Sequence, residues 1–309
     1  MLDTVRLKFK ISPSEEQLQY WTHHTTTTQA GAVREKYTYN PELAGGEVRL
    51  RCTYFPLDYN SNPMTTLEVS LPKMIHGNNF KMIGSVDGTI KITNLMMELV
   101  THFPNVDIAD GELIRLDLCY NHQVGDMVAD YINAIGKLDY PHRRTKHHRN
   151  EGAEFRSRHV TTKFYDKQQE AGTPDAYGIL RQETTILRGK RIKELTGVKH
   201  PKLTDITPLF AKEQLEKDLE RLKLLDRSIA DRDTALKLLS EEYGPDAGIY
   251  YFGLMQVKQD KPKRRILAET QMHPRSLDRR LRKITDSGIA LILTERSTPL
   301  PPLRIENRR

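Results

Sequence analysis

The chain has 309 residues, carries 48 lysines and arginines against 41 acids, and has a formal net charge of +7. That length allows two domains, no apolar run approaches a membrane-spanning length, and the start has no charged-then-apolar signal pattern, so a membrane protein is excluded and a cytoplasmic one expected. Two cysteines, Cys52 and Cys119, exclude a disulfide framework and a cysteine-rich zinc site, while the basic balance favours a polyanionic partner because neutralising phosphates releases counterions.

Thr4 to Ile11 alternates Val5, Leu7, Phe9 and Ile11 with Arg6, Lys8 and Lys10, predicting a strand with a basic outer face. Ser14 reads as a helix N-cap with Glu15 and Glu16 in the first turn. His23, His24 and Thr25 to Thr28 read as a solvated loop, because adjacent histidines share no helix or strand face. Val48 to Phe55 and Thr66 to Leu71 read as strands, the second stopped by Pro72 and followed by a turn at His76 to Asn79. Ile92, Leu95, Met96, Leu99 and Val100 mark an amphipathic helix over 90–103.

Leu113 to Tyr120 predicts a strand with Ile114, Leu116, Leu118 and Tyr120 on one face and Arg115, Asp117 and Cys119 on the other. A helix follows through Val124, Met127, Val128, Tyr131, Ile132 and Ile135. Residues 141–150 lack an apolar period and read as a loop, whose Arg143, Arg144, Lys146 and Arg149 are candidate contacts to a DNA backbone. His159 to Tyr165 reads as a strand running into a helix that opens near Asp166 and stops at Gly172, which leaves Tyr165 at a strand end with Lys167 two residues on. Such a position suits a nucleophile on a rigid scaffold. Ile179 to Leu187 places Arg181, Glu183 and Thr185 on one face. An unpaired acid in the middle of a buried strand is costly, so Asp117 and Glu183 beside their arginines imply either a metal site or an ion-pair network.

The last third reads as mainly helical. Thr204 to Pro208 is linker-like, and Leu215, Leu219, Leu222, Leu225 and Ile229 mark one long charged helix. Gly244 to Gly248 is a break. Ser276 caps a basic helix ended by Gly288, and Ile289 to Thr294 is a strand. That helix–strand pair, with arginines at 279, 280 and 282, is winged-helix-like. The expected divisions are 1–203, an accessory region 204–297, and a disordered tail 298–309.

Four segments, LEVSLPKMIHGNNF, LIRLDLCYN, TTKFYDKQQE and ILRQETTIL, occur in an order that resembles the gene II and gene X replication proteins of filamentous phages, and YYFGLMQV and PRSLDRRLRKITDSGI are loosely similar to that family too. The resemblance implies a relaxase-like nicking domain. Tyr165 would attack one strand at an origin, become joined to the 5′ phosphate and leave a 3′-OH for rolling-circle replication. Lys167 would assist it, and Asp117 and Glu183 would hold Mg²⁺ or Mn²⁺. Arg115 and Arg181 would meet DNA phosphate or pair with the acids, and Lys163 would meet DNA beside the basic loop. The implied partners are single-stranded or supercoiled origin DNA and a host helicase and polymerase, in the cytoplasm of a bacterial cell. Better-known relaxases bind metal through a His-hydrophobe-His strand, where this chain has Asp117 and Cys119. His76 is not assigned as a ligand, while His122 and His159 stay open as the third ligand beside a structural or solvent-facing role.

The expected fold is α+β, a mainly antiparallel sheet backed by helices. The competing readings are a non-catalytic DNA-binding regulator of the gene X type, a basic α+β protein that binds RNA, and a tyrosine recombinase, whose nucleophile belongs near the C terminus rather than mid-chain.

Overall fold

The computed structural model describes residues 1–10, 12–27, 33–40, 42–43, 48–49, 51–56, 63–83, 111–148 and 151–306. The expected helix over 90–103 lies outside them, as does Arg149. In chain order come β1 (Leu2–Phe9), α1 (Glu15–Leu18), β2 (Thr22–Thr27), β3 (Val33–Tyr39), β4 (Glu42–Leu43), β5 (Val48–Arg49), β6 (Arg51–Phe55), β7 (Met64–Ser70) and α2 (Leu71–His76). They are followed by β8 (Glu112–Gln123), α3 (Val128–Gly136), β9 (Arg144–His147), β10 (Gly152–Arg156), β11 (Val160–Asp166), α4 (Lys167–Ala171) and β12 (Ile179–Ile186). The rest is helical: α5 (Gly189–Thr196), α6 (Pro208–Arg221), α7 (Arg232–Tyr243), α8 (Pro245–Asp260), α9 (Lys263–Thr270) and α10 (Pro274–Asp286). Ten strands form an antiparallel sheet in the order β2-β3-β6-β7-β1-β8-β12-β11-β10-β9. The class is therefore α+β, a sheet backed by helices. Two compact units divide the chain, Met1–Cys119 with Thr185–Ala211, and Tyr120–Thr184 with Lys212–Asn307.

The first unit is built on alternation. Val5, Leu7 and Phe9 of β1 point into the core, and Val5 and Leu7 lie opposite Val69 and Leu67 of β7. Arg6 and Lys8 take the half-exposed face. Ser14 caps α1, and Gln17 completes a capping box. The His–Thr segment, expected to be a loop, is strand β2. Its side chains are exposed, but its backbone pairs along β3, His23 stacks on Tyr37, and His24 bonds Thr38. The expected strand end at Leu71 is instead the start of α2, with Pro72 in its first turn and Gly77 in the left-handed region at its end.

In the second unit, α3 buries Val128, Tyr131, Ile132 and Ile135 beside the strands that supply Phe155 and Phe164, whose rings meet edge-on at 6.5 Å. Helix α6 adds Leu215 and Leu219, both fully buried. Between them sits a buried acid, Asp218. It accepts hydrogen bonds from Thr162 of β11 (2.7 Å), Thr184 of β12 (2.6 Å) and Tyr140, and pairs with Arg143 at 3.3 Å. One carboxylate thus clips two neighbouring strands to the helix behind them.

The helical end differs from expectation at several points. The 204–208 segment holds a short 3₁₀ turn and leads into α6. The long helix stops at Arg221, because Lys223 and Asp226 take positive φ of 59° and 56° and turn the chain. Gly244 separates α7 from α8, but Gly248 lies inside α8. His273, not Ser276, caps α10. Residues 289–294 make only an isolated bridge from Ile289 to Ser228, so no wing strand follows α10 among the described residues. The tail through residue 306 is ordered: Leu300, Leu303 and Ile305 are buried, and bridges join Leu300 to Ile229 and Leu303 to Leu225.

Candidate functional site

Strand β11 carries the site. Its alternation turns Thr162 and Phe164 into the core and leaves Lys163 and Tyr165 half-buried on the other face. Asp166 ends the strand and caps α4, accepting from the backbone of Gln168 at 2.8 Å and Gln169 at 3.2 Å. That turn fixes Lys167 in the first helical position. Lys167 is fully buried, ion-paired to Glu170, and its ammonium lies 5.7 Å from the centre of the Tyr165 ring. The Tyr165 hydroxyl donates to Glu183 Oε2 of β12 at 3.0 Å. Gly152 of β10 faces Tyr165 in the ladder, and a Cβ there would stand 3.0 Å from the Phe164 carbonyl, so a larger residue would push the two strands apart by a few tenths of an ångström.

Tyr165 and Glu183 open onto a surface cavity of about 590 Å³. Carboxylates dominate its wall: Glu151 and Glu154 join Asp166, Glu170 and Glu183, against Lys163 and His148. The sheet places Glu154 between Lys163 and Lys146, so part of that charge is offset along one row. The hydroxyl–carboxylate pair at the cavity is an arrangement for proton transfer, since the acceptor lies within hydrogen-bond reach of the proton it would take.

The expected acids part company. Glu183 accepts from Tyr165, whereas Asp117 is buried and accepts from Arg115 at 3.1 and 2.8 Å. Arg115 reaches Glu68 at 3.5 Å, and Glu68 also pairs with Arg6 and Arg51. Asp117 therefore belongs to an ion-pair network that follows the ladder across β6, β7, β1 and β8. Among the described residues no three His, Cys, Asp or Glu are grouped to hold a metal ion. The oxygen donors have the chemistry Mg²⁺ or Mn²⁺ prefers, but as placed they do not make a ready site.

The expected DNA contacts also divide. Arg144 and Lys146 are exposed on β9, the strand that occupies the predicted loop, and Lys163 is half-exposed. Arg143 turns inward: its side chain is 8% exposed, lies over the Tyr140 ring at 3.8 Å, and bonds Thr162 and Asp218. Arg181 is fully buried and donates to Asn121 at 3.2 Å. Neither Arg143 nor Arg181 offers a surface cation. His122 is buried, bonded to Gln182 at 3.1 Å, and burial depresses its pKa to about 4. His159 is exposed.

Two groups escaped sequence reasoning. The β9–β10 hairpin brings His148, Glu151 and Glu154 to the cavity, and the alternation of Ala153 and Phe155 with Glu154 and Arg156 was its available signal. Asp218 was visible as one acid set among Leu215, Leu219 and Leu222.

No family model matches the chain, and no curated protein or solved structure matches it either. Among the described residues no helix is long and apolar enough to cross a membrane.

Proposed function

We propose that this chain is a tyrosine-dependent DNA strand transferase that nicks one strand at an origin and starts rolling-circle replication. The observation that carries the reading is the 3.0 Å bond from the Tyr165 hydroxyl to Glu183 at the mouth of the cavity. The ordered segments that resemble the gene II and gene X replication proteins support it.

In this reading Glu183 takes the phenolic proton as the Tyr165 oxygen forms its bond to phosphorus. The bond from phosphorus to the 3′ oxygen breaks, and that oxygen takes a proton from solvent and leaves as a 3′-OH. A tyrosine of ordinary acidity is only about one part in a thousand ionised at neutral pH, a deficit of roughly 4 kcal/mol. A positioned base and nearby cations are the means of offsetting it. Lys163, on the same face of the strand, meets the phosphate oxygens, and buried Lys167 holds the Tyr165 ring and Glu170. The phosphotyrosyl bond conserves the phosphodiester for later rejoining, and a host polymerase and helicase would extend from the free 3′-OH. The resemblance brings dependence on Mg²⁺ or Mn²⁺ with it.

Incubation with single-stranded DNA pools, with and without Mn²⁺, tests the reading on a denaturing gel. A protein–DNA band that survives denaturation is expected, absent in Tyr165→Phe and reduced at least 100-fold in rate in Glu183→Gln, the usual range for losing a general base. DNA binding with no covalent band under any metal or sequence would replace this reading with the regulator of the gene X type.

A further inference from the structure

Helix α10 has a second basic feature, remote in sequence from Tyr165. At about 100° per residue, Arg275, Arg279 and Arg282 fall within about 60° of one another on the helix surface, and Leu277, Leu281 and Ile284 fall on the opposite side. The leucines and Ile284 are buried in a core shared with Leu239 of α7, Met255 of α8 and Ile266 of α9. That packing fixes which face of α10 points outward, and all three arginines are exposed on it.

Most neighbouring cations already have partners. Lys261 and Arg265 both hold Glu269, Lys263 holds Asp278, and Lys258 holds Asp139. Arg280 lies over the Tyr250 ring and Lys283 over Tyr243. Among the described residues, the side chains of Arg275, Arg279 and Arg282 have no ion-pair or hydrogen-bond partner. Like charges at i, i+4 and i+7 repel one another; Asp278 and Asp286 on the same face offset part of that repulsion, although Asp278 is already held by Lys263. A row of anions of matching spacing removes the remainder.

We infer that α10 is a duplex-DNA-binding helix whose Arg275, Arg279 and Arg282 contact successive backbone phosphates. The three span about 10 Å along the helix at 1.5 Å per residue, on a rigid rod that the major groove of B-DNA can admit. Guanidinium groups suit phosphate through paired N–H donors. Single-strand binding instead uses aromatic platforms on which bases stack, and Pro274–Asp286 contains no aromatic residue. The inference takes DNA as the partner from the proposed function but does not depend on cleavage by Tyr165.

The test is fluorescence anisotropy of the full chain on a 25-base-pair duplex of arbitrary sequence, titrated with salt. It compares wild type, Tyr165→Phe, R275Q/R279Q/R282Q, and the charge-matched K190Q/R191Q/K199Q. Loss of three phosphate contacts lowers the slope of log Kobs against log salt by about 2.7, at roughly 0.9 per contact. The α10 variant is expected to show that drop with an unchanged thermal melt, while Tyr165→Phe and the charge-matched variant keep the wild-type slope. An unchanged slope in the α10 variant, or an equal drop in the charge-matched one, would overturn the inference. A drop seen only with single-stranded DNA or with duplex RNA would also overturn it. Wild-type duplex binding without any covalent product would fail the cleavage reading and leave this one standing.

Discussion

Acidification should loosen the second unit through a single imidazole. His122 sits at the buried end of β8, donates to Gln182 Oε1 at 3.1 Å, and touches the edge of the Tyr120 ring. Burial opposes its charged form and lowers its pKa from 6.5 to about 4, with the bond to Gln182 offsetting part of the shift. The sign follows from proton uptake. Between the two values the unfolded chain binds a proton that the folded chain refuses, so stability is full above about pH 6.5 and falls as pH drops toward 4. At 1.36 kcal/mol per pK unit the whole effect is about 3 kcal/mol, and about 2 kcal/mol is already lost at pH 5. Carboxylates also titrate in acid, so the informative quantity is a difference. Urea unfolding of wild type and His122→Gln at pH 7 and pH 5 should show wild type losing about 2 kcal/mol more than the variant, because glutamine keeps a donor toward Gln182 and does not titrate. Equal losses in the two proteins would refute a buried neutral imidazole at this position.

Asp218→Leu removes the acid that joins α6 to β11 and β12 and leaves Arg143 without its counter-charge. Breaking such a buried pair costs about 3–5 kcal/mol, to be read as a shift in unfolding free energy, and a loss under about 1 kcal/mol would show the network to be dispensable. Gly178→Ala should lower the melting temperature, since Gly178 has φ of +72° and a Cβ would stand 2.8 Å from the Gly125 Cα. The left-handed conformation alone costs roughly 1–2 kcal/mol, and an unchanged melt would mean this turn adjusts freely.

What could be read from the sequence depended on whether a segment has one buried face. Strands β1, β8, β11 and β12 each set apolar side chains against the core, so their alternation is written locally. Strand β2 is exposed on both sides, and its order comes from β3, whose Tyr37 takes the His23 ring. Strand β9 is exposed too and is held by β10. Neither has a local signature, which is why both read as loops. The ordered tail follows the same rule: Leu300, Leu303 and Ile305 among prolines dock only because other segments offer partners. At the site, Arg115 and Asp117 were legible as a pair because residues two apart on a strand share a face. Glu183 and Arg181 share that spacing, yet one meets Tyr165 and the other Asn121 across the sheet. Cross-strand neighbours, not spacing, decided which acid meets the tyrosine.

The distribution of charge constrains how such a chain could act on DNA. The formal charge is +7, yet the charged groups in the wall of the Tyr165 cavity are mostly carboxylates. A phosphodiester brought there meets repulsion unless affinity is supplied elsewhere. On the proposed reading, that affinity comes from exposed cations outside the cavity, Arg144 and Lys146 on β9 and the arginine row on α10. Binding energy from parts of a substrate away from the reacting bond can offset unfavourable placement at the reacting centre. Binding and cleavage then have separate residues. Variants of the α10 row should raise the DNA concentration needed for half-maximal attachment while sparing the rate at saturation, and Glu183→Gln should do the reverse. A chain whose binding and chemistry fell together in both variants would need a different account, with the cavity itself as the principal DNA contact.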